Sequence, residues 1–166
     1  MTAEEALARA RVLFLREDHA YGCAETTLMV LQEGFALAAG VDPSPALALN
    51  GGVAWHGGLC GASLGAALAV GQLAAERIAD HGTAKRVARA IVDRYLGDVE
   101  RAQGAVDCRE VLGRSIRTAQ EHAEFIQSGI WRNVCWRQIE FAVRRLIALG
   151  DPEVWQQVRQ ELEAES

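Results

Sequence analysis

Apolar residues recur at three- and four-residue spacing along most of the chain, and no stretch sustains the polar–apolar alternation of a half-buried strand. This predicts an all-α fold, a compact bundle of about seven or eight helices with one glycine-rich loop. The first helix runs from Ala3 to Glu17, with Ala6, Ala10, Leu13 and Phe14 on one face. Thr2 caps it, and Glu5 completes a capping box. A break at Asp18 to Gly22 precedes a second helix from Cys23 to Ala39, closed by Gly40. Pro45 then opens a short helix, where its missing N–H costs nothing. Further helices are expected from Ala62 to Asp80, from Gly82 to Gln103, from Cys108 to Leu112 behind a cap at Asp107, and from Ser115 to Gln127. A long amphipathic helix runs from Ile130 to Leu149, with Trp131, Cys135, Ile139, Ala142, Leu146 and Leu149 on its apolar face. Asp151 caps the last helix and Pro152 stands in its first turn.

Asn50 to Gly61 interrupts this pattern with five glycines, which disfavour a helix and imply a sharply bent or closely packed loop. Beyond it, Gly61, Gly65 and Ala69 form a small-residue stripe that lets a neighbouring helix approach closely. Length adds that one domain, 1–166, is expected, since two cores would each be marginal. With 17 basic and 22 acidic residues the net charge is −5, which argues against a general grip on nucleic acid but leaves room for local basic patches. The acidic start Met1-Thr2-Ala3-Glu4-Glu5 does not resemble a secretory signal. The longest nearly apolar run, Ala62 to Ala75, falls short of the roughly 20 residues of a membrane span. The expected location is therefore the cytoplasm, where static disulfides are rare.

The four cysteines, Cys23, Cys60, Cys108 and Cys135, include no Cys-x-x-Cys pair, so spacing alone is no zinc or ferredoxin signature. Taken singly, each reads as a small core hydrophobe. Together they share a placement: all four fall near expected helix N-termini, where free N–H groups and the helix dipole favour thiolate. Neighbouring glycines allow a backbone to approach a cluster's sulfurs, and Arg109, Arg132 and Arg137 are near enough in sequence to offset negative charge. Convergence of the four thiols on an iron–sulfur cluster, 2Fe–2S or 4Fe–4S, is the preferred expectation, with electron transfer to an unknown partner protein as the function. A thiol–disulfide enzyme with Cys60 as nucleophile is the second reading. A closed tetrathiolate zinc site is the third.

At these residues the chain resembles a four-cysteine redox-active protein family with a Cys-Gly-Ala-x-x-Gly motif, the C_GCAxxG_C_C family. The motif reads Cys60-Gly61-Ala62-Ser63-Leu64-Gly65, after a glycine-rich loop of the family's kind. Cys23-Ala24-Glu25 matches the first cysteine context, Cys108 to Gly113 the third, and Cys135 before an apolar helix the fourth. The resemblance covers about residues 21–149 and implies a small helical redox protein whose functional residues are these cysteines. A similar domain in split-Soret cytochromes carries an iron–sulfur cluster. This chain lacks Cys-x-x-Cys-His, so no covalent haem is expected. It also carries Val53-Ala54-Trp55-His56 where the family's loop is richer in glycine.

Other residues weigh less. His56 and His19 are near cysteines in sequence, and the ordinary role for each is a bond to a loop carbonyl. His81 and His122 read as exposed helix residues, Glu25 as a first-turn partner of the helix dipole, and Trp131 as core. No phosphate-loop motif, Ser-His-Asp order or His-Glu-x-x-His helix occurs, so nucleotide hydrolysis and proteolysis have no support. An exposed helix face would suit a homodimer.

Overall fold

Thr2 Oγ1 accepts from the Glu5 amide at 3.3 Å and the Glu5 carboxylate accepts from the Thr2 amide at 2.8 Å, so the expected capping box starts the first helix. The computed structural model describes residues 1–164; the last two residues of the expected 1–166 domain lie outside the described residues. Among the described residues there are eight α-helices: α1 (Ala3–Phe14), α2 (Cys23–Phe35), α3 (Gly61–Arg77), α4 (His81–Gln103), α5 (Cys108–Leu112), α6 (Ala119–Ser128), α7 (Val134–Leu146) and α8 (Pro152–Ala164). The all-α expectation is met; the only sheet-like pairing among the described residues is an isolated bridge between Leu59 and Asp107. Among the described residues no helix is long and apolar enough to cross a membrane.

Helix α2 is the centre of the bundle. Every residue from Ala24 to Gln32 is buried, and its most extensive partner is α3. The glycines expected to allow close approach do so: a Cβ on Gly65 would stand 2.2 Å from the Ala24 carbonyl oxygen. Helices α1 and α7 pack against α2 as well, and α4 covers α3. The buried apolar side chains form one cluster.

Several boundaries differ from expectation, each where a local bond or a buried side chain outweighs propensity. Helix α1 ends at Phe14 rather than Glu17, because the Asp18 carboxylate gathers Arg16 and the Ala20 amide into a turn. Helix α2 ends at Phe35, four residues before the expected end at Ala39: Ala36 turns left-handed (φ 53°), returning the chain so that Leu37 is buried. Ser115 does not open α6; Thr118 does, in a capping box with Glu121. Ile130 to Leu149 is not one helix but two 3-10 turns flanking α7. The Trp131 indole N–H donates to the Ile126 carbonyl at 3.2 Å and holds the first turn against α6. Asp107 stands at the cap position of α5, yet its side chain makes no capping bond.

The glycine loop contains the most unusual backbone. Gly51, Gly52, Val53, Ala54 and Trp55 have φ of +66°, +65°, +63°, +47° and +62°, a left-handed turn of five residues. For residues with a Cβ this conformation costs about 1–2 kcal/mol each, and for β-branched Val53 it is a true outlier. The Gly57 and Gly58 amides, donating to the Gly51 and Gly52 carbonyls at 3.0 and 3.1 Å, hold the turn closed. Val53-Ala54-Trp55 is where glycine would be the relaxed choice. Exposed Ala54→Gly is therefore expected to stabilise by roughly 0.5–1 kcal/mol, the left-handed penalty less glycine's unfolded-state entropy. Urea unfolding checks it, and a lower midpoint refutes it.

Candidate functional site

Each cysteine occupies the start of a helix. Cys23 is the first residue of α2, Cys60 the cap residue of α3, Cys108 the first of α5 and Cys135 the second of α7. Two backbone bonds staple the glycine loop to the segment before α5: the Cys60 amide donates to the Val106 carbonyl at 2.9 Å, and the Cys108 amide to the Gly58 carbonyl at 2.7 Å. Asn50 fixes the start of α2. Its side-chain oxygen accepts from the Ala24 amide at 2.9 Å and lies 3.8 Å from the Cys23 sulfur. Its amide nitrogen donates to Glu25, whose carboxylate also accepts from the Gly22 amide at 2.9 Å.

A cavity of about 240 Å³ lies among these elements, and Cys23, Cys108 and Cys135 all line it. Its apolar wall includes Phe14, Leu112, Phe125 and Trp131, while His19, Glu25, Asn50 and His122 supply polar groups. Cys60, 5% exposed, does not line the cavity. Its thiol is near enough to that of Cys23 to push the Cys23 thiol up. Gly61 makes room for the pair, since a Cβ there would stand 2.6 Å from the Cys23 sulfur. Among the described residues no three Cys, His, Asp or Glu side chains are grouped as a bound metal ion would require.

The expectation that helix N-termini make these sulfurs thiolates is overturned for three of them. The Cys60 contact, burial and the charge of Cys60 push the Cys23 thiol well up from its usual 9.0, against the smaller opposing effect of the Gly51 and Ala24 amides. Burial, then the charges at Cys23 and Asp107, push Cys108 up to about 12. Burial again leads for Cys135, followed by charges at Cys23 and Cys108. Desolvation and mutual repulsion of anions outweigh the dipole of short, buried helix starts.

The remaining candidates fall differently from the sequence reading. His19 lines the cavity, its ring 5.0 Å from Trp131, and His122, half-buried rather than exposed, lines it from α6. His56 does not line it. Trp131 is core, as expected, and also cavity wall. None of Arg109, Arg132 and Arg137 lines the cavity; Arg132 lies over the Trp131 ring at 4.4 Å instead. Two residues were missed. Asn50 carried a signal, an amide side chain directly before Gly51-Gly52. Tyr95, buried on α4 with its hydroxyl 3.3 Å from Ser63 Oγ and its phenol pushed up chiefly by burial and further by Cys60, carried none. It reads as one more apolar-face residue.

No curated protein and no solved structure matches the chain. Residues 21–148 match the family described as "Putative redox-active protein (C_GCAxxG_C_C)", which places all four cysteines inside the matched region. Covering most of the chain, from the turn before α2 to the end of the helix that carries Cys135, this match means that the protein belongs to the C_GCAxxG_C_C redox-active family.

Proposed function

We propose that the protein transfers electrons through an iron–sulfur cluster, 2Fe–2S or 4Fe–4S, held by Cys23, Cys60, Cys108 and Cys135. The observation that carries this reading is the lining of one cavity by three thiols, with the fourth near one of them. The donor set fits. Each of Cys23, Cys108 and Cys135 is opposed, as an anion, by the charge of another of the four, and a cationic group bound among them would relieve that opposition. Sulfurs spread around a cavity suit a group of several atoms better than one zinc ion, which needs four sulfurs at about 2.3 Å from a single point. When bound, a cluster supplies one-electron chemistry at a potential set by burial and by hydrogen bonds to sulfur.

The chain's own contribution is to hold sulfurs and exclude water. The Gly51 and Ala24 amides favour the ionised form of Cys23, while Leu112, Phe125 and Trp131 form an apolar wall. The test is anaerobic purification followed by iron, acid-labile sulfide and visible absorption. The expected result is iron and sulfide in equal amounts with a coloured protein, lost in Cys108→Ser. A colourless protein without either element after reconstitution overturns the reading.

The nearness of the Cys23 and Cys60 thiols favours a second reading, dithiol–disulfide exchange with a partner's disulfide. The two thiols would lose two electrons and two protons to form one S–S bond, and the partner's disulfide would gain them as two thiols. Cys60 was the nucleophile expected from sequence, but Cys23 is the member of the pair that borders the cavity. Mass spectrometry in graded redox buffers distinguishes the readings: a reversible loss of two hydrogens in protein without iron supports this one.

A further inference from the structure

A second, smaller cavity of about 60 Å³ adjoins the thiol cavity and shares Trp55 and Ile116 with it as a common wall. Its other walls carry His56, Arg109, Arg114 and Arg117. Three arginines lining so small a space are unexpected in a chain of net charge −5. Arg114 has an internal partner, Glu124 at 3.5 Å. Among the described residues the side chains of Arg109 and Arg117 have no ion pair or hydrogen bond, and both are exposed. Guanidinium groups bind phosphate through paired N–H donors, so several arginines bordering one small recess suit a phosphate-sized anion. Trp55 extends the site toward the sulfurs. It stands on the strained left-handed turn, is 46% exposed, and its ring centroid is 5.1 Å from that of His122, which also lines the thiol cavity. An exposed indole with a basic recess beside it can stack a flat ring whose phosphate sits on the arginines.

We infer that this recess is the phosphate subsite for a small phosphorylated aromatic ligand whose ring lies on Trp55 at the mouth of the thiol cavity. The inference goes beyond the electron-transfer reading and does not depend on it, so binding is measured on protein both with and without iron. Tryptophan fluorescence titrations compare flavin mononucleotide, adenosine monophosphate, riboflavin and inorganic phosphate. The expected result is that at least one of the two phosphorylated ring compounds binds. Riboflavin should bind at least about tenfold more weakly than flavin mononucleotide, and inorganic phosphate should compete. Arg109→Gln with Arg117→Gln should weaken the phosphorylated compounds by about tenfold and leave riboflavin unchanged, while Trp55→Leu weakens every ring compound and spares phosphate. High salt should weaken phosphate-dependent binding, as the Debye length falls from about 10 Å at 0.1 M to about 3 Å at 1 M. Where flavin mononucleotide binds, equal affinity for riboflavin overturns the inference, and so does a double variant that binds the phosphorylated compounds as the parent does. So does the absence of binding by both phosphorylated compounds at millimolar concentration. Circular dichroism of each variant separates loss of the subsite from loss of fold.

Discussion

Metal-free, reduced protein is expected to lose stability steadily as pH rises from about 9 toward 12. The cause is Cys108, whose thiol moves from the usual 9.0 to about 12 in the fold, chiefly through burial. The fold prefers the neutral thiol, so its contribution is complete below the unfolded value and is lost as pH climbs through the folded one. Three units correspond to about 4 kcal/mol at most. Cys23 and Cys135 act in the same direction. Urea midpoints measured between pH 8 and pH 11, compared with those of Cys108→Ser, isolate the effect from other alkaline groups, since the serine variant should have the shallower slope. The same shift predicts slow alkylation. At pH 8 a thiol of pKa 12 is about a thousandfold less ionised than one of pKa 9, and greater intrinsic nucleophilicity returns only about twentyfold of that. Iodoacetamide should therefore label Cys108 in the native apoprotein at least roughly 30-fold more slowly than in urea. Equal rates, or a flat midpoint from pH 8 to 11, would show that the thiol is not held neutral.

Gly65→Ala should be among the most destabilising single substitutions in the chain. Alanine ordinarily favours a helix over glycine by about 0.5–1 kcal/mol. Here its methyl group would stand 2.2 Å from the Ala24 carbonyl oxygen and 3.1 Å from the Leu28 nitrogen, both backbone atoms of the buried helix α2. Neither can turn aside, so α2 and α3 must separate along the most extensive helix pairing in the molecule. The expected net cost is about 3 kcal/mol, seen as a fall in Tm of roughly 6–12 °C. Gly71→Ala on the same helix is the control, because a Cβ there meets nothing within 4 Å; it should be neutral or stabilising. If both variants melt together, the close approach of α2 and α3 is wrong. The consequence reaches the site as well, since Cys23 opens α2 and Cys60 caps α3.

The capping box at Thr2 and the helix end at Gly104 were legible because each is settled within four residues of chain. So was the small-residue stripe from Gly61. The premature end of α2 was not, since Ala36 has no left-handed preference and turns there to bury Leu37. His122 was misread for a similar reason. Its burial depends on Trp55, far away in the chain, and only the fold of the glycine loop brings that ring to it. The arginines near cysteines in sequence were expected to offset charge at the thiols, yet Arg109 turns into the neighbouring recess. Proximity along a chain says little about which wall of a helix pair a side chain reaches.

The amino-acid sequence by itself determined that the protein is helical and that four thiols open four helices, because capping, glycine termination and apolar periodicity act over a turn or two of backbone. Only the tertiary structure decided that three of those thiols share a cavity, that Cys60 is near Cys23 rather than on that cavity, and that the neighbouring Cys60 pushes the Cys23 thiol up while burial does so for Cys108 and Cys135. Desolvation and sulfur-to-sulfur repulsion depend on how helices distant in the chain pack, and no local pattern encodes that distance.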